Sequence, residues 1–189
     1  MKDFRGDVQR ICAARRILVL GSSGSGKTTF ALHLGELLGL PIIHLDAHFW
    51  QPGWVSTPQD EWRKSVVELA AAPAWIMDGT YERSLDLRIP LAEALIQIDV
   101  SRWACLWRIY KRKWTVDDHR RPDAPAGQQL DQAFRRYVWQ YPRVTQPFVD
   151  DCIRRYGPNK LLVRLRGTRE VERFLSALRD NVGREETTA

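Results

Sequence analysis

The sequence predicts a three-layer α/β sandwich: a five-stranded parallel sheet with helices on both faces and a small lid. Three observations carry this. Five short apolar runs alternate with helix-period segments, a pattern that requires a parallel sheet covered on both sides. The first run leads into Gly21-Ser22-Ser23-Gly24-Ser25-Gly26-Lys27-Thr28, which fits the phosphate-binding loop G-x-x-x-x-G-K-S/T at every defined position. Three of the runs end on a carboxylate, at Asp46, Asp78 and Asp99. Ligands of open α/β sheets bind beyond the carboxyl ends of the strands, at the point where the strand order reverses. The loop makes this the P-loop NTPase version of the sandwich.

Taken in order, residues 1–15 are charged and lack the apolar segment of a signal peptide. They read as an N-terminal extension, either a short helix or a loose tail. Residues 16–20 are the first strand. Phe30, Leu34, Leu37 and Leu38 give the following helix one apolar face, and Gly39 and Pro41 stop it. Residues 41–46 are the second strand, and an aromatic segment follows with Phe49, Trp50 and Trp54. Thr57 reads as the N-cap of the next helix, with Pro58 in its first turn and Asp60 closing a capping box. Residues 74–79 and 94–99 are the third and fourth strands.

Ser101 caps a helix with Trp103, Leu106, Trp107 and Tyr110 on its apolar side. Residues 114–128 carry Pro122, Pro125 and Gly127 and read as a mobile loop. Leu130, Ala133, Phe134, Tyr137, Val138 and Tyr141 keep helical spacing, as do Val149, Cys152, Ile153 and Tyr156. Residues 160–165 are the fifth strand. A last helix, from about 168 to 181, buries Val171, Phe174, Leu175 and Leu178, and residues 184–189 read as a frayed tail. One domain over 16–183 accommodates all of this.

The net charge of +6 fits anionic partners: nucleic acid, an anionic membrane surface or a phosphorylated small molecule. The excess is local. Arg102, Arg108, Lys111, Arg112, Lys113, Arg120 and Arg121 crowd into one stretch. No apolar run approaches membrane-spanning length. Cys12, Cys105 and Cys152 form no zinc or redox pattern, which suits a reduced cytoplasmic setting.

The chemistry follows from residue types. Glycines let the backbone N–H groups of the loop converge into an anion nest. Lys27 reaches the outer phosphates, and the Thr28 hydroxyl is a natural Mg²⁺ ligand. Thr29 continues the helix start, whose positive end faces the phosphates. Asp78 is the candidate carboxylate opposite the loop for Mg²⁺, although Asp78-Gly79 also reads as a plain turn. Asp46 is the candidate to orient an acceptor and to take its proton if the acceptor is a hydroxyl; an Asx turn is the alternative. His44 and His48 flank it without further ligands at metal spacing. Phe49, Trp50 and Trp54 either stack on a base or line an apolar acceptor pocket, or they lid the core. Arg108 and Arg112 share a helix face and suit charge neutralisation on a transferring phosphoryl group, with a solvated face as the alternative. Arg83 and Arg88 follow Asp78 and suit an anionic group on the acceptor.

With these residues in view, the chain resembles the adenylate-kinase-like P-loop kinases, and more closely the bacterial topology modulation proteins of the FlaR type. The resemblance covers about residues 16 to 180. It rests on G-S-S-G-S-G-K-T-T, H-L-D-A-H-F-W-Q-P-G-W, W-I-M-D-G-T-Y with R-I-P-L-A-E-A-L-I-Q-I-D, and R-I-Y-K-R-K before R-R-P-D. It implies ATP phosphates on Gly21 to Thr28 and Asp78 near Mg²⁺. It also implies a lid over about 113–128 with Arg120 and Arg121 as its basic residues, and adenine near Arg166-Gly167. Where adenylate kinases follow Asp-Gly with Phe-Pro-Arg, this chain has Thr80-Tyr81-Glu82, so the acceptor side is altered.

The expectation is an ATP- and Mg²⁺-dependent phosphotransferase acting on a small-molecule acceptor, as a monomer or homodimer. The competing reading is a nucleotide-switched regulatory or nucleic-acid-binding module, supported by the basic cluster.

Overall fold

The computed structural model describes residues 3–115 and 130–188, with side chains for 3–112 and 130–184. Most of the expected lid, including Arg120 and Arg121, lies outside the described residues.

The main sheet contains β1 (Arg16–Gly21), β2 (Ile42–His44), β5 (Trp75–Asp78), β6 (Ala94–Asp99) and β7 (Leu161–Arg166). Its order is β2-β5-β1-β6-β7, with every neighbouring pair parallel. β1 is central. The chain builds first on one side of it and then crosses to the other, and that reversal opens the ligand crevice at the end of β1. A separate two-stranded antiparallel ribbon, β3 (Trp50–Gln51) and β4 (Val55–Ser56), folds the aromatic segment back on itself.

Alternation along β1 divides the core. Ile17 and Val19 join the cluster on one face with Phe30, Leu34, Phe174 and Leu178, under α1 (Arg5–Ala13), α2 (Lys27–Leu38) and α9 (Gly167–Thr188). Leu18 and Leu20 join Trp62, Val66, Val149 and Ile153 on the other, under α4 (Gln59–Ala70) and α8 (Thr145–Tyr156). A strand buried on both faces reads as a continuous apolar run, as 16–20 does. Each such fully buried aliphatic or Phe side chain contributes about 1.5–3 kcal/mol.

Of the two forms open to residues 1–15, the chain adopts the helix: α1 seats Val8 and Ile11 in the core. At the other end α9 continues past 181 to Thr188, because no proline interrupts it.

Three local expectations are corrected. The second strand stops at His44, and Asp46 sits in the first turn of a short helix, α3 (Leu45–Phe49), rather than at a strand end. Thr57 does not cap α4; its hydroxyl donates to the Phe49 carbonyl at 2.7 Å and ties down the aromatic ribbon. On α6 (Arg102–Thr115) the buried residues are Cys105 and Ile109, while Trp103 and Trp107 are 66% and 62% exposed. The helix turns its smaller side inward because the phosphate loop approaches it closely. A Cβ on Gly24 would lie 2.5 Å from the Cys105 carbonyl oxygen. The displaced tryptophans pack outside: Trp103 meets Trp139 of α7 (Gln132–Gln140) edge-on at 4.7 Å. Ser101 caps α6 as expected, accepting from the Ala104 N–H at 3.3 Å.

Candidate active site

The phosphate loop leaves β1 and enters α2 through three glycines at positive φ, Gly21 (149°), Gly24 (76°) and Gly26 (97°). Gly24 combines that backbone with the close approach to α6, so no side chain fits there. Lys27 curls back over the loop and donates from Nζ to the Ser22 carbonyl at 2.9 Å. Arg108 reaches in from α6, donating to the Ser25 carbonyl at 3.0 Å and to Thr168 Oγ1 at 2.6 Å. It thereby links the loop to the start of α9. Arg112 lies one turn further along. With Ser23, Thr28 and Thr29 these residues enclose a small polar cavity of about 190 Å³.

Asp78 ends β5 directly beneath. The Thr28 hydroxyl donates to its Oδ2 at 2.7 Å, and His44 Nδ1 lies 3.3 Å from the same oxygen. The other oxygen, Oδ1, is buried with no hydrogen-bond partner among the described residues. Asp78 is therefore more than a turn residue. Its hydroxyl neighbour and unpartnered oxygen make a donor set suited to a hard cation.

Beside the phosphate cavity opens a second, larger cleft of about 940 Å³. Ser23, Lys27 and Asp46 line both. One wall is aromatic. Phe49 packs on Tyr81 (4.7 Å), on Trp62 (5.1 Å) and on Trp50 (4.9 Å), and Trp50 packs on Trp54 (5.2 Å). Tyr137 of α7 faces the cleft from another side. Asp46 is oriented by the Tyr81 hydroxyl, which donates to its Oδ1 at 2.6 Å.

Residues 79–81 line the larger cleft and brace the start of the phosphate loop. The Thr80 hydroxyl donates to the Gly21 carbonyl at 2.8 Å and accepts from the Gly21 N–H at 3.1 Å, fastening the start of the phosphate loop. Tyr81 follows at φ 35°, a left-handed conformation that non-glycine residues seldom adopt. Arg88, on α5 (Leu85–Arg88), holds this segment from below. It is fully buried and donates to the carbonyls of Gly79, Thr80, Tyr81 and Ser84. Burial pushes its pKa down to about 9, which leaves it charged at neutral pH.

The expectation that Arg88 meets an acceptor is thus corrected: its guanidinium is committed to backbone carbonyls. Arg83 does border the cleft, exposed, and Trp50 lines it. Asp99 ends β6 exposed and lines neither cavity. Arg166 ends β7, its N–H donating to Glu170 at 2.8 Å, and Gly167 starts α9 at φ 73°. Sequence reasoning missed the structural roles of Thr80, Tyr81 and Tyr137. The signal was the Thr80-Tyr81-Glu82 segment itself, which registered only as a departure from a familiar pattern.

No protein-family model and no curated protein matches the chain. Solved structures do match. A shikimate kinase from Acinetobacter baumannii in complex with shikimate gives a TM-score of 0.59 at 13% identity, covering 94% of this chain and 98% of that one. A shikimate kinase from Bacteroides thetaiotaomicron gives 0.54 at 14%, covering 90% and 99%. A sugar kinase from Janibacter gives 0.50 at 20%, covering 87% and 94%. At these identities the likeness concerns architecture: the chain has the fold of the P-loop kinases.

Proposed function

We propose that this protein is an ATP-dependent phosphotransferase that moves the γ-phosphoryl group to a small acceptor bound in the aromatic cleft. The observation that carries the reading is the shared wall. Ser23, Lys27 and Asp46 border both the phosphate cavity and the cleft, so an acceptor in one meets a phosphoryl group in the other. Phosphoryl transfer asks for this kind of positioning with charge stabilisation.

The residues divide the work. The loop N–H groups and Lys27 hold the outer phosphates, and Arg108 and Arg112 add positive charge from α6. Arg120, Arg121 and the Arg166-Gly167 turn belong to the same reading, as lid and adenine contacts. Thr28 and Asp78 would hold Mg²⁺, which neutralises phosphate charge when bound. Asp46, oriented by Tyr81, accepts the proton of an attacking hydroxyl. Among the described residues no helix is long and apolar enough to cross a membrane, and the reading requires none.

Calorimetric titration of Mg·ATP, followed by ADP formation across a screen of nucleosides, nucleoside monophosphates, sugars and hydroxy acids, tests the proposal. Saturable binding and an acceptor that accelerates ADP release are expected. Failure of the wild-type protein to bind Mg·ATP would overturn it.

A further inference from the structure

Resting on that reading, the aromatic cleft also indicates what the acceptor is. We infer that it is a neutral nucleoside, phosphorylated on a ribose or deoxyribose hydroxyl, rather than a nucleoside monophosphate or an acidic sugar or ring acid.

Charge argues first. Among the described residues, the charged ones lining the cleft are Lys27, Arg83, Asp46, Glu82 and Asp131, three carboxylates against two cations. Lys27 belongs to the donor phosphates, which leaves Arg83 as the cation facing an acceptor among the described residues. Arg88 is withdrawn beneath the floor onto backbone carbonyls. A site for an anionic acceptor needs converging cations, and bidentate arginine above all. The described lining presents surplus negative charge, which repels an anion and suits hydroxyl groups that donate hydrogen bonds.

Shape and surface argue second. Phe49, Trp50, Trp54, Trp62 and Tyr81 form one interlocked wall of rings. A sugar or hydroxy acid offers little to such an extent of π-surface, whereas a nucleobase stacks on it. Gln59 opens α4 at the cleft, and its Nε2 is buried without a hydrogen-bond partner among the described residues. A buried amide donor without a partner is costly unless a ligand acceptor completes it. A base carbonyl or ring nitrogen supplies one. The Tyr137 phenol, whose pKa burial raises, stays protonated and adds a neutral donor, while the Tyr81 hydroxyl is already given to Asp46.

The step balances without further reactants. The nucleoside hydroxyl oxygen bonds to the γ-phosphorus of ATP as the bond from that phosphorus to the β–γ bridging oxygen breaks. ADP leaves, and the hydroxyl proton passes to the Asp46 carboxylate.

The test measures ADP formation by the full-length protein with Mg·ATP. Acceptors are the four ribonucleosides, the four deoxyribonucleosides, the corresponding 5′-monophosphates, shikimate and gluconate. At least one nucleoside should raise ADP formation tenfold or more over the acceptor-free rate, with the anionic compounds at background. In Trp54→Ala the KM for that nucleoside should rise roughly tenfold through lost stacking. Acceleration by an anionic acceptor alone, or by no nucleoside, overturns the inference and leaves Mg·ATP binding as the separate test of the phosphotransferase reading. A Trp54→Ala enzyme with unchanged nucleoside KM overturns it too.

Discussion

The two halves of the site are built in opposite ways. One continuous stretch, Gly21 to Thr28, supplies the core of the donor half. The acceptor half is assembled from four separated stretches, around Asp46–Trp54, Gln59–Trp62, Gly79–Arg83 and Asp131–Tyr137. In the proposed reading the donor half binds a group common to every nucleoside triphosphate, for which a short backbone nest suffices. In the same reading the acceptor half would recognise one molecule, and its shape comes from packing between distant elements. The lesson is that a local motif reports the shared chemistry, whereas specificity resides in contacts that only the fold creates.

Mutations can separate the halves. The largest effect is expected from Lys27→Ala, which should cut acceptor-dependent turnover by about 10²–10³-fold while the protein remains folded. Steady-state ADP formation with matched circular dichroism checks this. Turnover at the wild-type rate would show that the loop is not the donor site.

Next comes Arg88→Met. It leaves several buried carbonyls without donors and should cost about 3 kcal/mol or more, a fall in Tm of roughly 6–12 °C for a chain of this size. Arg83→Ala, on the exposed rim, should shift stability by no more than about 0.5 kcal/mol. Equal melting of the two variants would contradict the different places assigned to these arginines.

Tyr81→Phe sharpens the contrast further. Losing one hydrogen bond to a carboxylate should lower acceptor-dependent kcat roughly tenfold. Mg·ATP affinity should stay as in the wild type, because the hydroxyl bonds to Asp46 and to no residue of the phosphate loop. A matching loss of ATP affinity would mean the halves are not separable.

A small effect concerns the support beneath the acceptor side. Arg63 on α4 holds Asp86 on α5 with two hydrogen bonds of 3.0 and 2.7 Å, and this pairing keeps the Asp86 carboxyl below its ordinary value of 3.8. A lowered carboxylate pKa stabilises the fold above the unfolded value, and that contribution fades as pH drops through the folded one. Both side chains are partly exposed, so Asp86→Asn should cost only about 0.5–1 kcal/mol near pH 7. The gap to wild type in chemical denaturation should close below pH 3.8. A gap independent of pH would remove the ion pair as its cause.

Much of the architecture was legible because it is written in local periodicity. The buried run of β1, the Phe30–Leu34 face of α2 and the Phe174–Leu178 face of α9 each announce their partners. The place of Asp78, at a strand end beside the phosphate loop, was legible because it closes an apolar run. The inward face of α6 was not. Tryptophans at helical spacing look like a core stripe, and nothing local says that Gly24 will press against Cys105. The fate of Arg88 was hidden for a similar reason. An arginine nine residues beyond the Asp78-Gly79 turn looks like a ligand-binding group until the carbonyls of residues 79–81 are seen to converge on it.

Tyr81 has one more consequence. A non-glycine residue at φ 35° carries about 1–3 kcal/mol of backbone strain. Asparagine or glycine would relax it but would lose the hydroxyl that steers Asp46. Laboratory evolution for heat tolerance alone should therefore drift toward those residues at position 81 and yield sturdier, slower enzymes. The position is a ready marker for telling variants selected for endurance from variants selected for work.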